Sequence, residues 1–226
     1  MARKMKTVLV TGATGGLGPT VVNTFITAGW QVVATFRNAD KFAAIQGTRP
    51  SEELIGHHVG DLCRANDFAH LTSRLAVRHS GFNAIVHLVG GFKTGDSPED
   101  LDEMLEVNYL PARIIGHAAE TLVEQGGALI FISSALTKLP VITRPFGLEG
   151  YINSKLALNG LSLRLAKLFA GKIRVNAILA GILDTVANRA AKSDGNASLM
   201  SLESVAAPIL RICHPEGQTT GHLMEI

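Results

Sequence analysis

The stretch Thr11-Gly12-Ala13-Thr14-Gly15-Gly16-Leu17-Gly18 follows an apolar run at residues 7–10 and precedes a helical pattern that reaches residue 28. Four glycines within seven residues, set between a strand and a helix, leave few folds open. Glycine permits positive φ and lets a ligand come close to the backbone. The helix that follows presents unpaired N–H groups and the positive end of its dipole, which suits a phosphate or pyrophosphate. A strand, a glycine turn and a helix in that order form the opening unit of a nucleotide-binding sheet.

The remainder of the chain repeats the alternation. Short apolar runs at residues 31–35, 54–59, 84–89, 128–132 and 173–178, with a last one at 221–226, read as strands. Between them, residues 40–46, 67–80, 98–124, 151–169 and 201–212 carry helical patterns. Phe68, Leu71, Leu75 and Ala76 share one helical face. Pro19 is tolerated in the first turn of its helix, and Gly29 closes that helix. Ser97 caps the long helix, Pro98 opens it, and Gly126-Gly127 stop it. Strict alternation implies parallel strands joined by crossover helices. Runs rich in Val, Ile and Leu fit a sheet covered on both faces. The expected fold is a single doubly wound α/β (Rossmann) domain over residues 1–226. It has a mainly parallel seven-stranded sheet with helices on both faces.

Composition narrows the function classes. A formal charge of +2, with no basic block beyond Arg3-Lys4, gives no footprint for nucleic acid. No stretch approaches the roughly 18 apolar residues of a membrane span, and the first residues lack an apolar signal core. Cys63 and Cys213 form neither a disulfide framework nor a metal spacing, so a reducing, cytoplasmic setting is the default. Of the eight histidines, His57 and His58 are adjacent on an expected strand and should face opposite ways. The others are scattered, and no metal site is expected.

A second feature lies far downstream, at Gly150-Tyr151-Ile152-Asn153-Ser154-Lys155. On a helix, residues four apart stack on one face, so Lys155 sets a positive charge beside the Tyr151 phenol. A free phenol has a pKa of about 10 and is a poor acid–base group near neutrality. A neighbouring ammonium favours phenolate and moves that value toward working pH. Such a pair can pass a proton to or from an alcohol oxygen.

With both features in place the chain resembles a short-chain dehydrogenase/reductase of the short single-domain branch. The family turn Thr-Gly-x-x-x-Gly-x-Gly is met by Thr11, Gly12, Gly16 and Gly18. Through Gly15 the stretch also fits Thr-Gly-x-x-Gly-x-x-Gly, the mark of a longer branch that includes epimerases and dehydratases. A length of 226 residues leaves no room for that branch's substrate domain. The resemblance implies that Gly12, Thr14, Gly15, Gly16, Leu17 and Gly18 cradle a nicotinamide dinucleotide. It places Asp61 at the adenine edge, Gly90, Gly181 and Ile182 near the nicotinamide, and Thr185 on its carboxamide. It assigns Ser134 to polarise a substrate carbonyl and Tyr151 to donate or accept the proton. Lys155 would lower the Tyr151 pKa and bind the nicotinamide ribose, and Asn108 would hold a water for proton relay. Ser133 and Thr137 stand as alternatives to Ser134. At the end of the second strand, Phe36 occupies the slot where an acidic residue would meet the ribose of NAD(H). Arg37 follows, and its guanidinium suits a 2′-phosphate, so NADP(H) is preferred and NAD(H) remains possible. An Arg37 merely solvated at a strand end is the alternative.

Three departures from the family pattern stand out. The fourth strand ends His87-Leu88-Val89-Gly90 where Asn-Asn-Ala-Gly is usual, so the asparagine that ties neighbouring strands is lost. Ala180 replaces a usual proline, which should loosen that turn. Ser134 and Tyr151 are 17 positions apart, a longer separation than the family pattern, and the surplus in 136–148 should lie over the cleft mouth or in a subunit contact.

The substrate pocket is expected outside the carboxyl ends of the strands, from residues 91–94, 136–150 and 182–195. The short segment at 182–200 implies a fairly open cleft. Leu156, Leu158, Leu161, Leu163, Leu165 and Leu168 cannot all face one sheet, so a homodimer or homotetramer through helices is expected. The expected activity is hydride transfer between NADP(H) and a small alcohol or carbonyl compound. The rival is a non-catalytic nucleotide-sensing or scaffold protein on the same fold.

Overall fold

A computed structural model describes residues 5–60, 64–191 and 198–226. Seven strands form one sheet: β1 (Thr7–Thr11), β2 (Gln31–Phe36), β3 (Leu54–His58), β4 (Phe82–His87), β5 (Val123–Ser134), β6 (Arg174–Ala180) and β7 (Leu223–Glu225). Their spatial order is β3-β2-β1-β4-β5-β6-β7, and every pairing is parallel. The connecting helices are α1 (Gly18–Thr27), α2 (Ala39–Gln46), α3 (Ala65–Arg78), α4 (Pro98–Asn108), α5 (Leu110–Leu122), α6 (Glu149–Leu168), α7 (Val186–Ala191) and α8 (Leu202–Cys213).

Alternation along each strand splits the core in two. Val8, Val10, Val32, Ala34, Val86 and Ile130 pack under α1 and α8, with Val21, Val22, Phe25, Val205 and Ile209. Their neighbours Leu9, Val33, Ile85, Leu129 and Phe131 point the other way, under α3, α5 and α6. His57 is buried and His58 exposed, as neighbours on one strand must be. Among the described residues no helix is long and apolar enough to cross a membrane.

The chain departs from the expected elements in two informative places. The long helix expected at 98–124 is two helices that meet at Tyr109. Pro111 lies in the first turn of α5; it lacks an N–H, and its ring crowds the carbonyl four residues back, so the helix restarts there. Ser97 and Pro98 act as expected at the start of α4, where Ser97 and Asp100 form a reciprocal capping box. Second, Gly126 and Gly127 do not stop a helix but lie inside β5. Val123 pairs with Phe82, and the register shifts before Ala128 pairs with Ala84. Gly126 takes a positive φ of 79°, and a Cβ on Gly127 would meet the Asn83 carbonyl, so the pair makes an irregularity within the strand.

Candidate active site

The strand order reverses between β1 and β4, and the glycine turn lies at that switch point. Gly12 has a φ of 74°, and a Cβ there would sit 3.0 Å from the Val89 nitrogen, just beyond β4. A Cβ on Gly18 would overlap the Ala13 carbonyl, so the turn closes on itself only with glycine there. A Cβ on Gly16 would lie 2.7 Å from the Thr185 methyl. The turn is held by hydrogen bonds from the Gly15 N–H to the Gly12 carbonyl and from the Gly18 N–H to the Gly15 carbonyl. The Ala13 N–H reaches the Thr35 carbonyl at the end of β2. Thr14 is half-buried, Gly15 and Gly16 are exposed, and Leu17 is buried as the N-cap of α1. Leu17 offers no side-chain cap, and the first turn of α1 carries no acidic residue.

On the other side of the switch point, Gly90 lies so close to α4 and α6 that a Cβ would be 2.7 Å from Asn108 Oδ1 and 3.3 Å from Lys155 Nζ. Asn108, buried at the end of α4, clamps the next residue. Its Oδ1 accepts from the Gly91 N–H at 3.0 Å and its Nδ2 donates to the Gly91 carbonyl at 3.1 Å. The same Nδ2 donates to Ser154 Oγ at 3.1 Å, tying α4 to α6 beside Tyr151.

Ser134 ends β5, its Oγ accepts from the Leu136 N–H, and its hydroxyl is close enough to Tyr151 to pull the phenol pKa down. The alternatives point elsewhere: Ser133 Oγ donates to the Lys155 carbonyl, and Thr137 Oγ1 donates to the Ser134 carbonyl. Lys155 Nζ donates to the Ile132 carbonyl at 3.1 Å and lies 5.8 Å from the centre of the Tyr151 ring. Burial raises the Tyr151 pKa above the ordinary phenol value, and the Ser134 hydroxyl partly offsets it. Burial also pulls the Lys155 pKa down to about 8. The expected depression of Tyr151 by its neighbouring ammonium is therefore not what this arrangement produces. Desolvation raises the Tyr151 pKa instead, and the ammonium is turned to a backbone carbonyl.

Of the remaining expected residues, Thr185 meets the glycine turn at Gly16. Gly181 and Ile182 follow β6, and a Cβ on Gly181 would meet only Met200 at 3.5 Å. Thr185 caps α7, its Oγ1 accepting from the Asn188 N–H. The turn after Ala180 is not loose: Leu183 bridges Met200, with backbone hydrogen bonds from Met200 to Ile182 and from Asp184 to Met200. Arg37 is exposed just past β2 and has no hydrogen bond or ion pair among the described residues. Phe36 is stacked on Phe42 at 4.2 Å. Asp61 lies outside the described residues.

Two contacts were not expected. His87 takes over the tie between strands: its Nδ1 is 2.8 Å from Thr11 Oγ1, directly before the glycine turn. Burial and the nearby Lys155 charge push His87 down to about 3, so it is neutral. Phe92 packs edge-on against the Tyr151 ring, centroids 5.0 Å apart. Composition gave no signal for it, because an isolated phenylalanine after a glycine pair reads as an ordinary loop residue.

A glycine cradle at the switch point, beside a buried serine–tyrosine–lysine cluster, defines a dinucleotide-binding α/β enzyme. The family model for short chain dehydrogenases matches residues 6–196, and the chain belongs to that family of NAD(P)-dependent oxidoreductases. It is 30% identical over 189 residues to a serine 3-dehydrogenase of Rhizobium radiobacter, covering 79% of this chain and 72% of that protein. It is 29% identical over 227 residues to a cyclic-di-GMP-binding biofilm dispersal mediator protein of Escherichia coli, covering 93% and 90%. Among solved structures, a short-chain dehydrogenase of Burkholderia cenocepacia in complex with NADP superposes with a TM-score of 0.86. It shares 24% identity, over 98% of this chain and 96% of that one.

The residues present fit a dinucleotide. The N-terminus of α1 has no side chain occupying its free N–H groups, and glycine is sterically required at Gly12, Gly16 and Gly18 around the turn.

Proposed function

We propose that the chain is an NADP(H)-dependent oxidoreductase acting on an alcohol or carbonyl compound. The observation that carries this reading is the cluster of Ser134, Tyr151 and Lys155, which reaches through Lys155 and Gly90 toward the glycine turn. The nicotinamide supplies or takes the hydride when bound. Gly12, Thr14, Gly15, Gly16, Leu17 and Gly18 hold its pyrophosphate at the α1 N-terminus. Gly90, Gly181, Ile182 and Thr185 line the nicotinamide end, and Lys155 takes the ribose hydroxyls. Ser134 donates to the substrate oxygen as it gains charge, and Tyr151 donates the proton to that oxygen in reduction. Asn108 fixes the Gly91 backbone against α6 and holds a water of the proton path. Asp61 meets the adenine edge.

The Lys155 ammonium prefers water to its present site. Ribose hydroxyls at Nζ would replace part of its lost hydration and strengthen the charge that assists Tyr151. The preference for NADP(H) rests on Arg37, an exposed guanidinium with no partner among the described residues, and on Phe36, whose ring is already engaged by Phe42. Leu163 and Leu168 remain exposed on α6 while Leu158, Leu161 and Leu165 are buried, which supports a homodimer or homotetramer; light scattering reads this directly.

One observation favours a second reading, a nucleotide-sensing protein without turnover: the relative covered over 90% of its length is named for binding cyclic-di-GMP. Tyr151→Phe separates the two. The enzyme reading expects turnover of a carbonyl panel with NADPH to fall at least a hundredfold while NADPH affinity, read by nicotinamide fluorescence, stays within twofold. Unchanged turnover would remove Tyr151 from the chemistry.

A further inference from the structure

Six of the ten large apolar side chains exposed among the described residues sit in three loops at the carboxyl edge of the sheet. They are Phe92 after β4, Val141, Ile142 and Phe146 after β5, and Ile182 and Val186 after β6. Of the other four, Leu163 and Leu168 lie on α6, and Met5 and Val77 stand alone. Lone exposed apolar residues are ordinary, but a concentration around one cleft marks a binding surface.

Phe92 is the best placed of the six. The residue is 61% exposed, yet its ring rests edge-on against Tyr151. It follows Gly91, whose N–H and carbonyl are both held by Asn108, so its backbone is fixed to α4. The opposing loop is fixed to the same segment. The Gly95 N–H donates to the Gly147 carbonyl at 2.7 Å, and Asp96 accepts from the Gly147 and Glu149 N–H groups at 2.6 and 3.0 Å. Phe146, the residue before Gly147, is fully exposed.

The charges at this rim are mostly committed. Lys93 pairs with Asp100 and Glu103, Arg189 pairs with Asp184, and Arg144 Nε donates to the Leu139 carbonyl. Lys138 is exposed in the turn after β5, and Lys155 is buried behind the tyrosine. An anionic substrate would compete with carboxylates already paired to Lys93 and Arg189.

We propose that the substrate is an uncharged ketone or secondary alcohol whose larger substituent is an apolar ring, seated on Phe92 with its oxygen at Ser134 and Tyr151. This rests on the oxidoreductase reading above and adds the substrate class. The test compares an aryl alkyl ketone with an aliphatic 2-oxo acid as substrates with NADPH. Binding is read separately, by calorimetry of 1-phenylethanol to the NADPH-loaded protein, a pairing that cannot turn over.

The expected result is a kcat/KM at least tenfold higher for the aryl ketone. Phe92→Ala should weaken 1-phenylethanol about tenfold and Phe92→Leu less, with NADPH affinity unchanged in both. A 2-oxo acid used equally well, or aryl binding unaffected by Phe92→Ala, overturns the substrate class and leaves the reductase reading standing. Aryl binding that depends on Phe92 in a protein that turns over neither probe does the reverse. Absence of both binding and turnover overturns both.

Discussion

Lys155 carries an ammonium into a site where it donates to the Ile132 carbonyl, and burial lowers its pKa from 10.5 to about 8. Below pH 8 the group is charged in both folded and unfolded chains, and the folded state bears the full cost of desolvation. That cost is of order 3 kcal/mol as an upper bound. Between about pH 8 and 10.5 the folded protein releases the proton first and the cost fades. Lys155→Met should therefore raise the melting temperature of the ligand-free protein at pH 7, with a gain that shrinks by pH 10, while turnover is lost. A melting temperature that falls at pH 7 would show that the ammonium is well solvated. His87 shows what single residues hide from sequence. Its role depends on Thr11, which is 76 positions away, and on a ring made neutral by burial; neither can be read from His87-Leu88-Val89-Gly90.

Glycine acts differently in two helices. At Gly18 an added methyl would overlap the Ala13 carbonyl, part of the turn that shapes the first winding of α1. At Gly160, inside α6, nothing lies within 4 Å of a Cβ and the conformation is helical. Gly18→Ala should lower stability by about 1–3 kcal/mol and weaken NADPH binding at least tenfold. Gly160→Ala should add about 0.5–1 kcal/mol, since it removes only unfolded-state freedom. Chemical denaturation of the pair checks both signs, and equal effects would mean the cradle tolerates a side chain. Elements defined by local chemistry were legible: Ser97 caps α4 through Asp100, and Gly12 to Gly18 join β1 to α1. The break at Tyr109 was not, although Pro111 carried the signal, because apolar spacing runs on through it. The early start of β5 was hidden as well, since Val123 is set by pairing with Phe82 across the sheet.

At the scale of the whole molecule, the site exists because β4 returns beside β1. Residues from 12, 90, 108, 134, 151 and 185 then meet along one edge of a single parallel sheet. Alternation of strand and helix made that order readable in advance. Arg37 stands apart at the end of β2, exposed, with no partner among the described residues. Its role can only be read through linkage: a ligand that binds the folded chain alone stabilises it by RT ln(1 + [L]/Kd). NADPH at 100 times its Kd should contribute about 2.7 kcal/mol, a rise of about 5–10 °C for a domain of this length, in one cooperative transition. NADH at the same concentration, if tenfold weaker, should give about half that rise. Arg37→Ala should bring the NADPH shift down to the NADH level and leave the NADH shift alone. Equal shifts in the wild-type protein would show that the adenosine ribose is not discriminated at β2. Two separate transitions, only one of them moved by NADPH, would show that residues 1–226 do not fold as one domain.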